Sequence, residues 1–190
     1  MPGLKSERVA AAELREILES FIETRAGRLE AAFGAVLSSL RAGGKVLVFG
    51  NGGSAAEAQH LAAELVNGLA RRDRPAAAAM ALTADSSALT AIGNDRGFAE
   101  VFSRQIEALA RPGDVALALT TSGRSPDIVE ALKTARAKGL VTIALTGQGG
   151  GDVAPLVDHL LDVHSRSTPR IQEAHLFLLH VLAEEVEAGL

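Results

Sequence analysis

Short apolar runs alternating with helical stretches of ten to fifteen residues predict an α/β fold with a parallel sheet covered on both faces. Three observations carry this expectation. The runs KVLVFG, GDVALALTT and VTIALTG are β-branched and apolar in their interiors, as strands buried on both faces are. Each ends in a turn rich in glycine or hydroxyl residues. The first two of those turns lead straight into apolar residues spaced three and four apart, the helical period.

The elements follow in order. Residues 6–40 place Leu14, Ile17, Leu18, Phe21, Ile22, Leu29, Phe33, Val36, Leu37 and Leu40 at helical steps, with Gly27 and Gly34 as points of bending or division. AGGK ends this segment, and KVLVFG is the first strand. A helix is expected to start at Ser54, with Glu57 three residues on in capping-box spacing. RPAAAAMAL is a weaker strand, because alanine favours helix. Helical patterns at 86–92 and 98–110 flank a turn, GNDRG. After GDVALALTT comes a helix with Ser125 as cap, Pro126 at its first position and Gly139 as its stop. VTIALTG is a strand, GQGGGD a loop and VDHLLDV the last strand. STPRIQEAHLFLLHVLAEEVEAG is a closing helix. Residues 1–190 thus read as one domain, with a helical segment over 1–42 and an α/β core over 43–190.

Composition narrows the chemistry. Of the 190 residues, 47% are apolar and 22% charged, which is ordinary for a globular domain. No apolar run approaches the ~20 residues needed to cross a bilayer, and the start lacks the pattern of a secretory signal, so the expected location is cytoplasmic. The chain has no cysteine, which excludes disulfides and thiolate metal sites and leaves any metal to His, Asp, Glu or Gln. The net charge is −4, Trp and Tyr are absent, and no run of like charge is longer than Arg71–Arg72. Neither a basic stripe nor stacking aromatics mark a nucleic-acid partner.

Two turns have the character of an anion seat. GNGGS, residues 50–54, follows the first strand, and TTSGRS, residues 120–125, follows DVALAL. Open α/β sheets bind ligands at the carboxyl ends of their strands, where both turns lie. The start of a helix leaves N–H groups unpaired and carries partial positive charge, and glycine lets an anion approach the backbone. Thr120, Thr121, Ser122 and Ser125 add hydroxyl donors. This set suits a phosphate monoester held by neutral donors. It matches neither the dinucleotide fingerprint nor the P-loop. Either loop alone is equally well explained as a turn with a helix cap.

The reactive groups are separated in sequence. His60 and Glu64, four apart on one helix, lie ~40° from each other around its axis. Gln172 and His180 lie ~80° apart on the last helix, whereas His175 is ~140° from His180 and points elsewhere. Each has a plain structural explanation as a packing or solvated residue. Together they would offer two imidazoles, a carboxylate and an amide oxygen, which can bind Zn²⁺ or supply an acid and a base near neutral pH. Spacing does not bring the two helices together. His159 and His164 flank the last strand and receive no role.

FGNGGSAAEAQHLAAEL, AIGNDRGF, LTTSGRSPDIVEA, ALTGQGGG and RIQEAHLFLLH stand in the order found in the phosphoheptose isomerases, and the chain resembles that family over residues 35–185. The family is built on a single sugar-isomerase (SIS) domain. The resemblance implies a flavodoxin-like three-layer sandwich with a five-stranded parallel sheet, and a homotetramer with active sites between subunits. It implies the conversion of sedoheptulose 7-phosphate to D-glycero-D-manno-heptose 7-phosphate through an enediol, the first step towards nucleotide-activated heptose. By motif, Asn51, Gly52, Gly53, Ser54, Asn94 and Asp95 face the substrate, and Thr120, Thr121, Ser122 and Ser125 hold the phosphate. His60, Glu64, Gln172 and His180 correspond to zinc-binding positions, one Zn²⁺ per subunit. Glu64 and Gln172 also face the sugar. Glu64 resembles the catalytic base and His180 the catalytic acid.

Three positions depart from the family pattern: Thr120 replaces serine, Arg124 replaces asparagine, and Pro169 stands where some members have an acidic residue. Two alternatives follow from the same motifs. One is a non-catalytic relative that binds the replication initiator, disfavoured because Glu64 and His180 are both present. The other is a single-domain isomerase of six-carbon substrates, such as a 6-phospho-3-hexuloisomerase.

Overall fold

A computed structural model describes residues 5–71 and 73–190. Five strands form one sheet in the order β2-β1-β3-β4-β5, every neighbouring pair parallel. The strands are β1 (Val46–Gly50), β2 (Ala79–Ala81), β3 (Val115–Thr120), β4 (Val141–Thr146) and β5 (His159–Asp162). Alternating side chains feed two separate cores. Val46, Val48, Val115, Leu117 and Leu119 face α1 (Lys5–Arg41), α2 (Gly53–Asn67) and α6 (Thr168–Gly189). Leu47, Phe49, Ala116 and Ala118 face α3 (Ser86–Asp95), α4 (Ser103–Leu109) and α5 (Pro126–Ala137). The result is the parallel sheet covered on both faces that the alternating pattern predicts, in the flavodoxin-like three-layer form that the resemblance implies. Strand order reverses between β1 and β3, so the crevice at their carboxyl ends is the topological switch point of the sheet.

Several elements differ from the sequence reading. Gly27 and Gly34 do not divide α1, which runs unbroken for 37 residues, about 55 Å. Tertiary packing overrides the glycines: Ile17, Phe21, Phe33 and Val36 are buried, and Arg25 and Arg28 pair with Asp162 at the end of β5. β2 is only three residues long, the alanine-rich flank supplying too few β-branched side chains to extend it. The GNDRG segment is not a turn throughout. Asn94 and Asp95 finish α3, and the chain turns at Arg96 and Gly97. The helical pattern at 98–110 divides into a 3₁₀ turn, Phe98–Glu100, and α4.

The start of α2 matters most for function. No capping box forms. The helix begins at Gly53, Gly52 takes φ 57° as its cap, and no side chain accepts from the first turn. Only glycine adopts this left-handed entry at little cost. Glu57 is buried beside Ser54 and caps no backbone N–H of the first turn, so the first N–H groups of α2 stay open toward the switch point. At α5, Ser125 and Pro126 stand where expected, and again no side chain caps the first turn.

Candidate active site

A cleft of about 310 Å³ opens between the two predicted turns. Asn51, Gly52, Gly53 and Ser54 line one wall, Thr120, Thr121, Ser122 and Ser125 the other, and Gln172 and Thr168 reach in from α6. Internal bonds set its shape. Thr120 Oγ1 accepts from the Gly123 N–H at 3.1 Å, and Ser122 Oγ accepts from the Arg124 N–H at 3.2 Å. Asn51 Nδ2 donates to Asp127 Oδ2 at 2.7 Å, tying the first loop to the start of α5. Two helix starts without side-chain caps converge here with six hydroxyl residues, and among the described residues no lysine or arginine lines the cleft. Such a cradle suits a tetrahedral anion. The side chain of Arg124 lines an adjoining cleft with Arg166 instead.

Gly53 explains how Gln172 enters. A Cβ at this position would stand 2.6 Å from Gln172 Nε2 and 2.9 Å from its Oε1. The amide therefore lies over the start of α2, 3.5 Å from Ser54 Oγ.

Six residues along α2, the seam with α6 holds the histidines. His60 Nε2 lies 2.8 Å from His180 Nε2, with the rings edge-to-face at 78°. This separation, between residues 120 positions apart, requires one ring to donate a proton to the other. Glu64 Oε1 is 3.8 Å from His60 Nδ1, on the opposite side of that ring, and the two side chains are 22% and 38% exposed. Among the described residues, no three His, Asp or Glu side chains are gathered around one point as metal ligands. The facing imidazoles form a two-donor pair, with the carboxylate beside it. Asn94 and Asp95 stand apart: they are exposed at the end of α3, with Asn94 Nδ2 donating to Asp95 Oδ1 at 2.8 Å.

Two polar residues near this region, Glu57 and Asp127, escaped the sequence reading of the site. Glu57 lies on the same face of α2 as His60 and Glu64, is 9% exposed, and has one oxygen without a partner. Burial pushes its carboxyl up to about 7, against the opposing effect of Ser54. Its spacing, three before His60 and seven before Glu64, was the available signal, but a capping box explained the same residue. Asp127 resembled an ordinary acid in the first turn of a helix and is instead buried against Asn51. His175 does point away from His180. It is fully buried, neither ring nitrogen has a hydrogen-bond partner, and burial lowers its pKa to about 4. It is therefore a neutral core residue at neutral pH.

The SIS domain family matches this chain over residues 11–147. A phosphoheptose isomerase of Bradyrhizobium sp. (strain BTAi1) is 51% identical over 180 residues, covering 95% of this chain and 89% of that protein. The phosphoheptose isomerase structure from Neisseria gonorrhoeae superposes with a TM-score of 0.89 at 43% identity, covering 96% and 98% of the two chains. The phosphoheptose isomerase from Francisella tularensis gives 0.94 at 34% identity, covering 99% and 100%. With the family model matching over more than half of its length and relatives at this identity and coverage, the chain belongs to the phosphoheptose isomerases of the SIS-domain family.

Proposed function

We propose that the cleft and the α2–α6 seam form one active site that interconverts sedoheptulose 7-phosphate and D-glycero-D-manno-heptose 7-phosphate. The observation that carries this reading is the meeting of His60 and His180 beside Glu64, on the same two helices that close the anion cradle. Ser54 and His60 are separated by about 9 Å along α2. That distance is comparable to an extended sugar chain with its phosphate at one end and its carbonyl at the other.

An aldose–ketose isomerisation moves a proton between C1 and C2 through an enediol. The C–H acid is weak, so a base must remove the proton while the developing oxyanion is stabilised. Glu64 carries the carbon-bound proton. The His180 imidazole donates to and accepts from the sugar oxygens. The cradle anchors the phosphate, so that the far end of the sugar is presented at fixed geometry. Gln172, lying over the start of α2, hydrogen-bonds the sugar.

A zinc ion, one per subunit, would be held by His60, Glu64, Gln172 and His180: the facing imidazoles supply two nitrogen donors, and Glu64 would turn from the Nδ1 side of His60 to join them. When bound, the metal supplies a Lewis acid that polarises the sugar carbonyl. We further propose a homotetramer with sites completed between subunits. Exposed Ile22 on α1 (49%) and Phe177 on α6 (39%) support an apolar interface, and exposed Asn94 and Asp95 are available to a neighbour's site. No helix among the described residues is long and apolar enough to cross a membrane, and a cytoplasmic location is part of this proposal because its charged sugar-phosphate substrate does not cross a bilayer unaided.

The test is to incubate purified protein in D₂O with sedoheptulose 7-phosphate and, separately, with a hexulose 6-phosphate. The expected result is aldose formation with deuterium entering at C1 and C2 of the seven-carbon sugar. Absence of exchange, or faster turnover of the six-carbon ester, refutes the proposal.

A further inference from the structure

The far ends of α2 and α6 are joined by a buried charged network that the cleft does not touch. Arg74 follows α2, and its side chain is 1% exposed. Its Nη2 donates to the backbone carbonyls of Glu64 at 2.9 Å and Leu65 at 2.7 Å, and its Nη1 to that of Pro75 at 2.7 Å. Glu187 on α6, 5% exposed, lies 3.7 Å from Arg74 Nε. Its carboxylate accepts from the backbone N–H groups of Leu69, Ala70 and Arg71. The guanidinium thus caps the last turn of α2 at the backbone of Glu64 itself. The carboxylate secures the following loop from a helix position two turns beyond His180.

We propose that Arg74 and Glu187 are positioning residues that lock α2 and α6 in register, so that the Glu64 carboxylate and the His180 imidazole address the same sugar. This rests on the reading of Glu64 and His180 as the proton-transferring pair. Helices joined only by apolar packing can slide or rotate slightly at small cost. A planar fork spread over three carbonyls, facing a carboxylate bound by three N–H groups, cannot follow such a slide without losing several charge-assisted bonds at once. The phosphate cradle lies at the opposite, N-terminal end of α2, so loosening the clamp disturbs proton transfer while sparing phosphate binding. A misplacement of about 1 Å at a reacting group costs on the order of 10²-fold in rate.

Two variants test this beside Glu64→Gln. Arg74→Lys keeps the charge and loses the fork, and Glu187→Gln keeps the shape and loses the charge. Each is assayed well below its own melting temperature for kcat, KM and inhibition by inorganic phosphate. The expected result is a fall in kcat of about ten- to a hundredfold, with KM and phosphate inhibition within about threefold of the parent. Glu187→Asp, which retains the carboxylate on a shorter stem, replaces Glu187→Gln if that variant does not fold, with the same expectation. Parental kcat in the folded clamp variants, with Glu64→Gln inactive, overturns the proposal and leaves the network a structural brace. Turnover in Glu64→Gln overturns instead the reading on which the proposal rests.

Discussion

Replacing Glu57 by glutamine is expected to lessen the protein's loss of stability as pH rises from 5 to 8. The carboxyl is buried on α2, and burial pushes it from 4.5 up to about 7. A group held protonated in the folded state and ionised in the unfolded state favours folding least at high pH. Its contribution is fully present below pH 4.5, declines through the interval to about 7, and is gone above it. The full interval corresponds to about 3 kcal/mol at 1.36 kcal/mol per tenfold change in proton affinity. Residual solvent contact brings this to about 2 kcal/mol. Glutamine has nearly the same shape and carries no charge. Relative to the parent, Glu57→Gln should therefore gain about 2 kcal/mol between pH 5 and pH 8, seen as about 4–8 °C in melting temperature. Thermal unfolding followed by circular dichroism at both pH values measures it. Parallel shifts of parent and variant across the interval would refute the buried-carboxyl argument.

Other consequences follow from the same geometry. Gly53→Ala places a Cβ 2.6 Å from the Gln172 amide, so the amide must retreat by about 0.8 Å to reach an ordinary contact near 3.4 Å. Because alanine favours helix over glycine by roughly 0.5–1 kcal/mol, the melting temperature should hold or rise while kcat falls by about ten- to a hundredfold. Unchanged turnover in a folded Gly53→Ala protein would remove Gln172 from the site. Asp127→Ala leaves the Asn51 amide without its acceptor, and a destabilisation of about 1–3 kcal/mol with a severalfold rise in KM is expected from calorimetry and steady-state kinetics. A parental KM would show that Asn51 holds its place without Asp127.

How much of this was legible in the sequence depended on whether the signal was local. The strands β1, β3 and β4 were read from apolar runs, and their fully buried interiors show why those runs contain so little charge. Both cradle loops were legible because glycine and hydroxyl residues are concentrated where chain direction changes at a strand's carboxyl end. The pairing of His60 with His180 was not, since no spacing rule spans 120 residues; motif order supplied it. The continuity of α1 was hidden because Gly27 and Gly34 have weak local preference, while its register comes from Phe21, Phe33 and Val36 packing under α6. Glu57 was misassigned because a capping box and a buried carboxyl share one spacing, and only the positive φ of Gly52 decides between them. Asp127 looked solvated because charge near a helix start usually is. Its burial arises from the loop of β1 folding over α5.

The most direct measurement of the central claim is turnover of sedoheptulose 7-phosphate by Glu64→Gln, run beside a binding assay for the same ester. An amide at this position keeps the size of the side chain and cannot accept a carbon-bound proton. The account predicts a loss of turnover of about 10²–10⁴-fold with binding retained through the cradle. Preserved turnover, or loss of binding in step with loss of rate, would contradict it.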